Sequence, residues 1–248
     1  MNFKNILIIG APRSGTSFLK DLLQQHDNIY LASGEKNFWS HKDFSTKNVK
    51  KYYQQLLTES KEKEERIRKK IIHLGEKSPA YASMPERQII LLKKIFRNPL
   101  IIYMIRDNEE RYYSELKFTF EKRPLKRKIN QLAAIDLKLV KYCLRTSDYS
   151  SNIENWSKHF GNNLKIIFFE DFIVDKQNYI NKILNYLKLE FQNINFDKKI
   201  KSVKPNFFFK LYFEFITKLF FKNEYINLIS DYQNQKMKIS SKYKNCVI

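Results

Sequence analysis

The amino-acid sequence predicts an α/β fold with a mostly parallel central sheet flanked by helices. Three observations carry this expectation. Short apolar runs alternate with longer amphipathic segments along most of the 248 residues. The first run, Ile6-Leu7-Ile8-Ile9, ends in Gly10 and passes through a short loop to Gly15, where Thr16-Ser17 open a new segment. A later run, Leu100–Ile105, has five aliphatic or Met residues in six, which suits a parallel strand buried on both faces.

Taken in order, the pattern predicts strands over 5–9, 71–74, 100–105 and 164–169. Helices are expected over 17–25, 50–70, 85–96, 109–120, 130–144, 153–160 and 178–187. The stretch TESKEKEERIRKK (58–70) alternates charge sign and reads as a solvated helix face. KRPLKRK (122–128) is a basic turn broken by Pro124, either a surface loop or a wall of a cleft. Near the C-terminus, eight of the fifteen residues from Phe207 to Phe221 are aromatic, while Lys210, Glu214 and Lys218 recur on one helical stripe. Such a helix packs its apolar side on the core, or lays it on a membrane surface or partner. Residues 1–248 are expected to form a single domain, with the helical part from about 205 onward as its last portion.

The first run and its loop form a strand, a glycine turn and a helix start, the arrangement that offers backbone N–H groups to anionic oxygens. The fold class is therefore α/β, P-loop-like, with three layers. The spacing of Gly10 and Gly15 fits G-x-x-x-x-G, but Thr16 stands where an ATP or GTP loop carries lysine. Arg13, inside the turn, is the loop's cation. With five glycines in the whole chain, two in one loop are informative. An ordinary strand-to-helix turn is the competing interpretation.

Composition bounds the rest. A 43% hydrophobic chain of this length buries a full core. No apolar run reaches the ~18 residues of a membrane span, and the N-terminus leads into the first strand without a secretory pattern. Cys143 and Cys246 lack metal-type spacing and read as free thiols in a reducing compartment, so a cytoplasmic location is expected. The formal charge of +20 attracts polyanions of any kind, or reflects a Lys- and Asn-rich composition, and by itself selects no partner.

Four segments, in order, resemble sulfotransferases that use 3′-phosphoadenosine-5′-phosphosulfate (PAPS). They are GAPRSGTSFL (10–19), GEKNFW (34–39), GEKSPAY (75–81) and RDNEERYYS (106–114). The nearest likeness is to carbohydrate sulfotransferases of the heparan-sulfate type, and it extends from about residue 5 to 189. The resemblance implies that the Ser14, Gly15, Thr16 and Ser17 backbone holds the 5′-phosphosulfate, with Arg13 against the sulfuryl oxygens. It implies Glu35 as the base toward the acceptor, and Lys77 as a contact to the sulfuryl group or acceptor. Arg106 and Ser114 would grip the 3′-phosphate, for which an arginine fork is well shaped. No metal is implied. The acceptor would offer a hydroxyl, or an amine, on a glycan or glycolipid, with no role for nucleic acid.

Some positions depart from the family pattern. Asn108 replaces the usual proline, and Ser40 stands where a second acidic residue is common, with Asp43 further on. His41 reads as a surface histidine. Lys201 and Lys204 are the nearest substitutes for the family's last cofactor loop, which has no clear match. A loop cap or salt bridge is the competing role for Glu35, a solvated charge for Lys77, and a pair with Asp107 or Glu110 for Arg106. Two other functions remain open at the level of sequence. A nucleotide kinase would use the same loop with Mg²⁺ and ATP, against the missing lysine. A non-catalytic polyanion-binding protein would account for the charge without chemistry.

Overall fold

The structure, a computed structural model, describes residues 4–40, 45–96, 98–121, 137–197, 207–229 and 232–248. His41, Asp43, the basic turn at 122–128, Lys201 and Lys204 fall outside these residues, as does the start of the helix expected from 130.

Five parallel strands form one sheet: β1 (Lys4–Gly10), β2 (Ile29–Leu31), β3 (His73–Lys77), β4 (Leu100–Ile105) and β5 (Leu164–Phe168), in the order β2-β3-β1-β4-β5. β1 lies at the centre, with Ile6 opposite Gly75 on one side and Leu100 on the other. Because successive residues of a strand point to opposite faces, the apolar runs feed two separate cores. Leu7, Ile9, Ile101, Tyr103 and Ile105 pack on one face, and Ile6, Ile8, Ile102 and Met104 on the other. The expected three-layer α/β architecture is the observed one.

The first face is covered by α2 (Thr46–Ile67), α3 (Glu86–Ile95) and α6 (Tyr149–Phe160), through Leu56, Ile89, Leu92 and Trp156. The second is covered by α1 (Thr16–Leu23), α7 (Phe169–Val174) and α8 (Lys176–Leu187), through Leu19, Leu22, Phe172 and Ile183. Helix α4 (Asn108–Glu121) leaves the end of β4 and packs with α5 (Leu137–Ser147). Tyr112, Leu116, Val140 and Cys143 join Phe213 of α9 (Phe207–Phe220) and Tyr225 of α10 (Lys222–Ile229) in a third core. Then α11 (Tyr232–Lys242) returns the chain to the sheet, where the Ile166 N–H donates to the Cys246 carbonyl at 2.8 Å.

The differences from expectation have local causes. β2 has only three residues, too few for a clear alternation. β3 runs two to three residues later than its apolar pattern and includes Gly75, Glu76 and Lys77, all buried. A Cβ on Gly75 would lie 1.9 Å from the Ile6 carbonyl oxygen, so the close approach of β1 and β3 requires glycine there. Helix α2 starts earlier than its charge pattern, because Ser45 caps it by accepting from the Asn48 N–H.

Candidate active site

The carboxyl ends of β3, β1 and β4 open into one cavity of about 510 Å³, at the edge where open α/β sheets hold ligands. Arg13, Thr16, Ser17, Glu35, Arg106 and Ser114 all line it. Gly15 also borders it, Ser14 is buried beneath the turn, and Lys77 reaches the cavity through Glu35.

The loop after β1 has two left-handed positions, Arg13 at φ 63° and Gly15 at φ 82°. A Cβ on Gly15 would meet the Phe169 ring at 2.6 and 2.7 Å, so this turn both needs glycine's freedom and has no room for a side chain. The Ser14 N–H is engaged by the Ala11 carbonyl at 3.3 Å. The first i−4 bond of α1 runs from Leu19 to Gly15 at 3.0 Å, so the N–H groups of Thr16, Ser17 and Phe18 have no partner within the helix. These groups and the positive end of α1 attract negative charge.

Arg13 is aimed by its neighbours. Its Nε donates to Ser114 Oγ at 3.2 Å, and its guanidinium lies 4.4 Å from the centre of the Phe118 ring. Burial lowers its pKa, Glu115 opposes this, and Arg106 adds to the lowering. Arg106 sits at the start of α4. Its main chain is held by Tyr149, whose hydroxyl donates to the Arg106 carbonyl at 2.8 Å and accepts from its N–H at 3.3 Å. The guanidinium pairs with Glu110 through Nη2, approaches the Arg13 carbonyl through Nη1 at 3.4 Å, and lies 4.9 Å from the Phe169 ring centre. Its Nε is buried and has no hydrogen-bond partner among the described residues.

Glu35 and Lys77 meet across the cavity's other wall, with Lys77 Nζ 2.6 Å from Glu35 Oε1. The lysine is 9% exposed and the glutamate 45%, so the cation is fixed and the carboxylate faces open space. The pair connects the loop after β2 to the end of β3.

Four residues in or behind the cavity's lining were not expected from sequence. Glu76 is fully buried and accepts from Tyr52 at 2.6 Å, Ser78 at 2.8 Å and Tyr81 at 3.0 Å. Burial pushes its carboxyl up, against the lowering effect of those hydroxyls. Ser78 Oγ in turn accepts from the Asn37 N–H at 3.0 Å, and Tyr81 OH from the Trp39 N–H at 3.1 Å. Two relays thus lead from Glu76 to the loop that carries Glu35. Arg111 is fully buried below the first turn and donates to the Pro12 and Cys143 carbonyls. Asp21 and Glu115 line the cavity, and burial pushes the Glu115 carboxyl up against Arg111 and Arg13. The available signal was adjacency: Glu76 precedes Lys77, and Glu115 follows Ser114.

The sulfotransferase domain model matches residues 3–212, most of the chain. The chain belongs to the sulfotransferase family. The match runs past the end of the expected likeness at 189 and into α9. The structure is similar to a sulfotransferase from Alicyclobacillus acidocaldarius, at 18% identity and TM-score 0.62, over 95% of this chain and all of that one. It is also similar to the sulfotransferase domain from the curacin biosynthetic pathway, at 15% identity and TM-score 0.53, over 77% of this chain and 76% of that one. At these identities the likeness speaks for the fold. No curated protein matches the chain by sequence. The chain is thus a sulfotransferase enzyme, and no described helix of it is long and apolar enough to cross a membrane.

Proposed function

We propose that this sulfotransferase takes its sulfuryl group from PAPS and delivers it to an acceptor hydroxyl, or an amine, on a sugar or glycolipid. One observation carries the reading: Arg13, the free N-terminus of α1, Arg106, Ser114 and Glu35 converge on a single cavity. The residues suit a bisphosphorylated nucleotide. The turn at Gly15 is a cradle that a Cβ would obstruct, and the buried Nε of Arg106, a residue that lines the cavity together with Ser114, is an unspent donor.

When bound, PAPS supplies an activated sulfuryl group on a leaving phosphate. Thr16 and Ser17 N–H groups bind the 5′ end, and Arg106 with Ser114 binds the 3′-phosphate. Arg13 faces the oxygens on which negative charge grows, where fixed cations contribute most to group transfer. Glu35 accepts the acceptor's proton. As it does so it loses its own charge, and Lys77, 2.6 Å away, is left as an unpaired cation at the reacting centre. Arg13, Arg106 and Lys77 supply the positive charge, and the proposal includes no metal.

The acceptor class is supported by the cavity's lining. Carboxylates of Asp21, Glu35 and Glu115 share it with the rings of Phe118 and Tyr142. Hydroxyl-rich rings present donors at their edges and an apolar face to aromatic groups. The test is a thermal-shift titration with adenosine 3′,5′-bisphosphate against ATP with Mg²⁺. Stabilisation by the bisphosphate and not by ATP supports the reading. The reverse preference replaces it with a phosphotransferase.

A further inference from the structure

Helix α9 has two apolar faces, and the described residues cover only one. Phe213, Ile216 and Thr217 are buried against the third core, where Tyr112 of α4 shares a hydrogen bond with Thr217. The opposite side carries Phe207, Phe208, Leu211, Phe215 and Leu219, which are 46 to 79% exposed. Their spacing places them within an arc of about 120° at 100° per residue. Five large apolar side chains on one solvent-facing stripe far exceed the scattered apolar residues of an ordinary surface.

We infer that this face of α9 docks on an anionic lipid surface. The charge around it selects that occupant. Lys218 lies within that arc, exposed and paired with Glu214 one turn earlier, and the exposed Lys222 follows the helix. From Phe207 to Ile248 the chain has seven lysines against three acidic residues, within a total formal charge of +20. A second copy of the chain would bring these lysines toward their own equivalents, whereas anionic headgroups complement them. A short amphipathic helix with Phe and Leu on one side, and a long-stemmed Lys among them that can extend its ammonium to the headgroups, has the character of an interfacial helix.

The position of α9 links the surface to the chemistry. α9 packs on the Tyr112 side of α4, and Ser114, Glu115 and Phe118 on α4 line the cavity. A docked α9 therefore lies one helix away from the acceptor space, as a lipid-anchored acceptor requires. That link rests on the sulfotransferase reading, while the docking itself does not.

The test uses the full chain with a reporter, Phe215→Trp. Both native tryptophans, Trp39 and Trp156, are fully buried, so the new indole dominates any lipid-induced change. Vesicles of phosphatidylcholine are compared with vesicles of phosphatidylcholine and phosphatidylglycerol in equal parts. Emission should shift to the blue, and brominated acyl chains should quench it, with the anionic vesicles only, and salt should weaken the effect. In a Phe215→Trp background, Phe208→Ser with Leu219→Ser should lower vesicle partition about tenfold or more. Because all three sites are exposed, thermal unfolding should change little. Unshifted emission overturns the proposal, as does equal vesicle binding after the double substitution, which would make the attraction a property of overall charge. Dimerisation through the stripe without vesicle binding also overturns it. Adenosine 3′,5′-bisphosphate titration of the same samples reports separately on the catalytic reading.

Discussion

Replacing Arg106 with alanine should separate the proposed recognition of the 3′-phosphate from the rest of nucleotide binding. The guanidinium is held over Phe169 and partnered by Glu110, while the main chain is fixed independently by the Tyr149 hydroxyl. The substitution therefore removes the cation without releasing the strand end, and it leaves Glu110 on an exposed surface. A hydrogen bond to a charged group contributes about 1.5–3 kcal/mol. Breaking the exposed Glu110 pair in the free protein costs about 0.3–0.5 kcal/mol of that. The net loss is about 1–2.5 kcal/mol, or about 5- to 70-fold in affinity. Isothermal titration calorimetry at fixed ionic strength, with adenosine 3′,5′-bisphosphate and with 5′-AMP, measures it. The bisphosphate should weaken by that factor in Arg106→Ala, and 5′-AMP by less than about threefold. Equal weakening of the two nucleotides would show that Arg106 supports the loop in general, and an unchanged bisphosphate would remove it from the site.

Gly15→Ala should abolish bisphosphate binding and destabilise the fold by about 1–3 kcal/mol, because a left-handed turn and the Phe169 ring both oppose a Cβ; chemical denaturation and titration check the two effects. Glu35→Gln should lower sulfuryl transfer by about 10²–10⁴-fold, and the double variant with Lys77→Met should lose little more, since the lysine acts through the charge of its partner. Independent, multiplicative losses in steady-state rates would contradict that coupling. Glu76 has a folded-state pKa above its unfolded one, so its contribution to stability is fully present below the unfolded value and is lost as pH rises through the folded value. Denaturation of wild type and Glu76→Gln from about pH 4 to pH 8 should therefore show the difference moving in favour of glutamine with rising pH. A constant difference would mean that the carboxyl does not titrate differently on folding.

The sheet's centre and its loop were readable because their signals are local. β1, Gly10, Gly15 and the apolar run before Arg106 each express burial or turn geometry within a few residues. The gathering of Arg13, Ser114 and Arg106 was implied by the family resemblance, and the structure produces it by making β1 and β4 neighbours. What could not be read depends on distant partners. Glu76 is compatible with a strand interior only because Tyr52, 24 positions earlier, and Tyr81 bring hydroxyls to it. Lys77 looks like a solvated charge until Glu35 arrives from the loop after β2. The aromatic helix declared its amphipathicity, yet which of its sides would be covered was decided by α4 and α10. Glu115 reads as one more polar helix residue, and its place in the cavity's lining, shared with Tyr142 of α5, appears only once α4 and α5 are packed together.

The hydrogen bond from Arg13 to Ser114 joins segments 101 residues apart. It stitches the glycine turn to the helix after β4, so the two proposed grips on a nucleotide are in register before any ligand arrives. Rigid, preset geometry spares association the entropy of ordering a loop. Binding at this end of the cavity should then be fast and nearly independent of what occupies the other end.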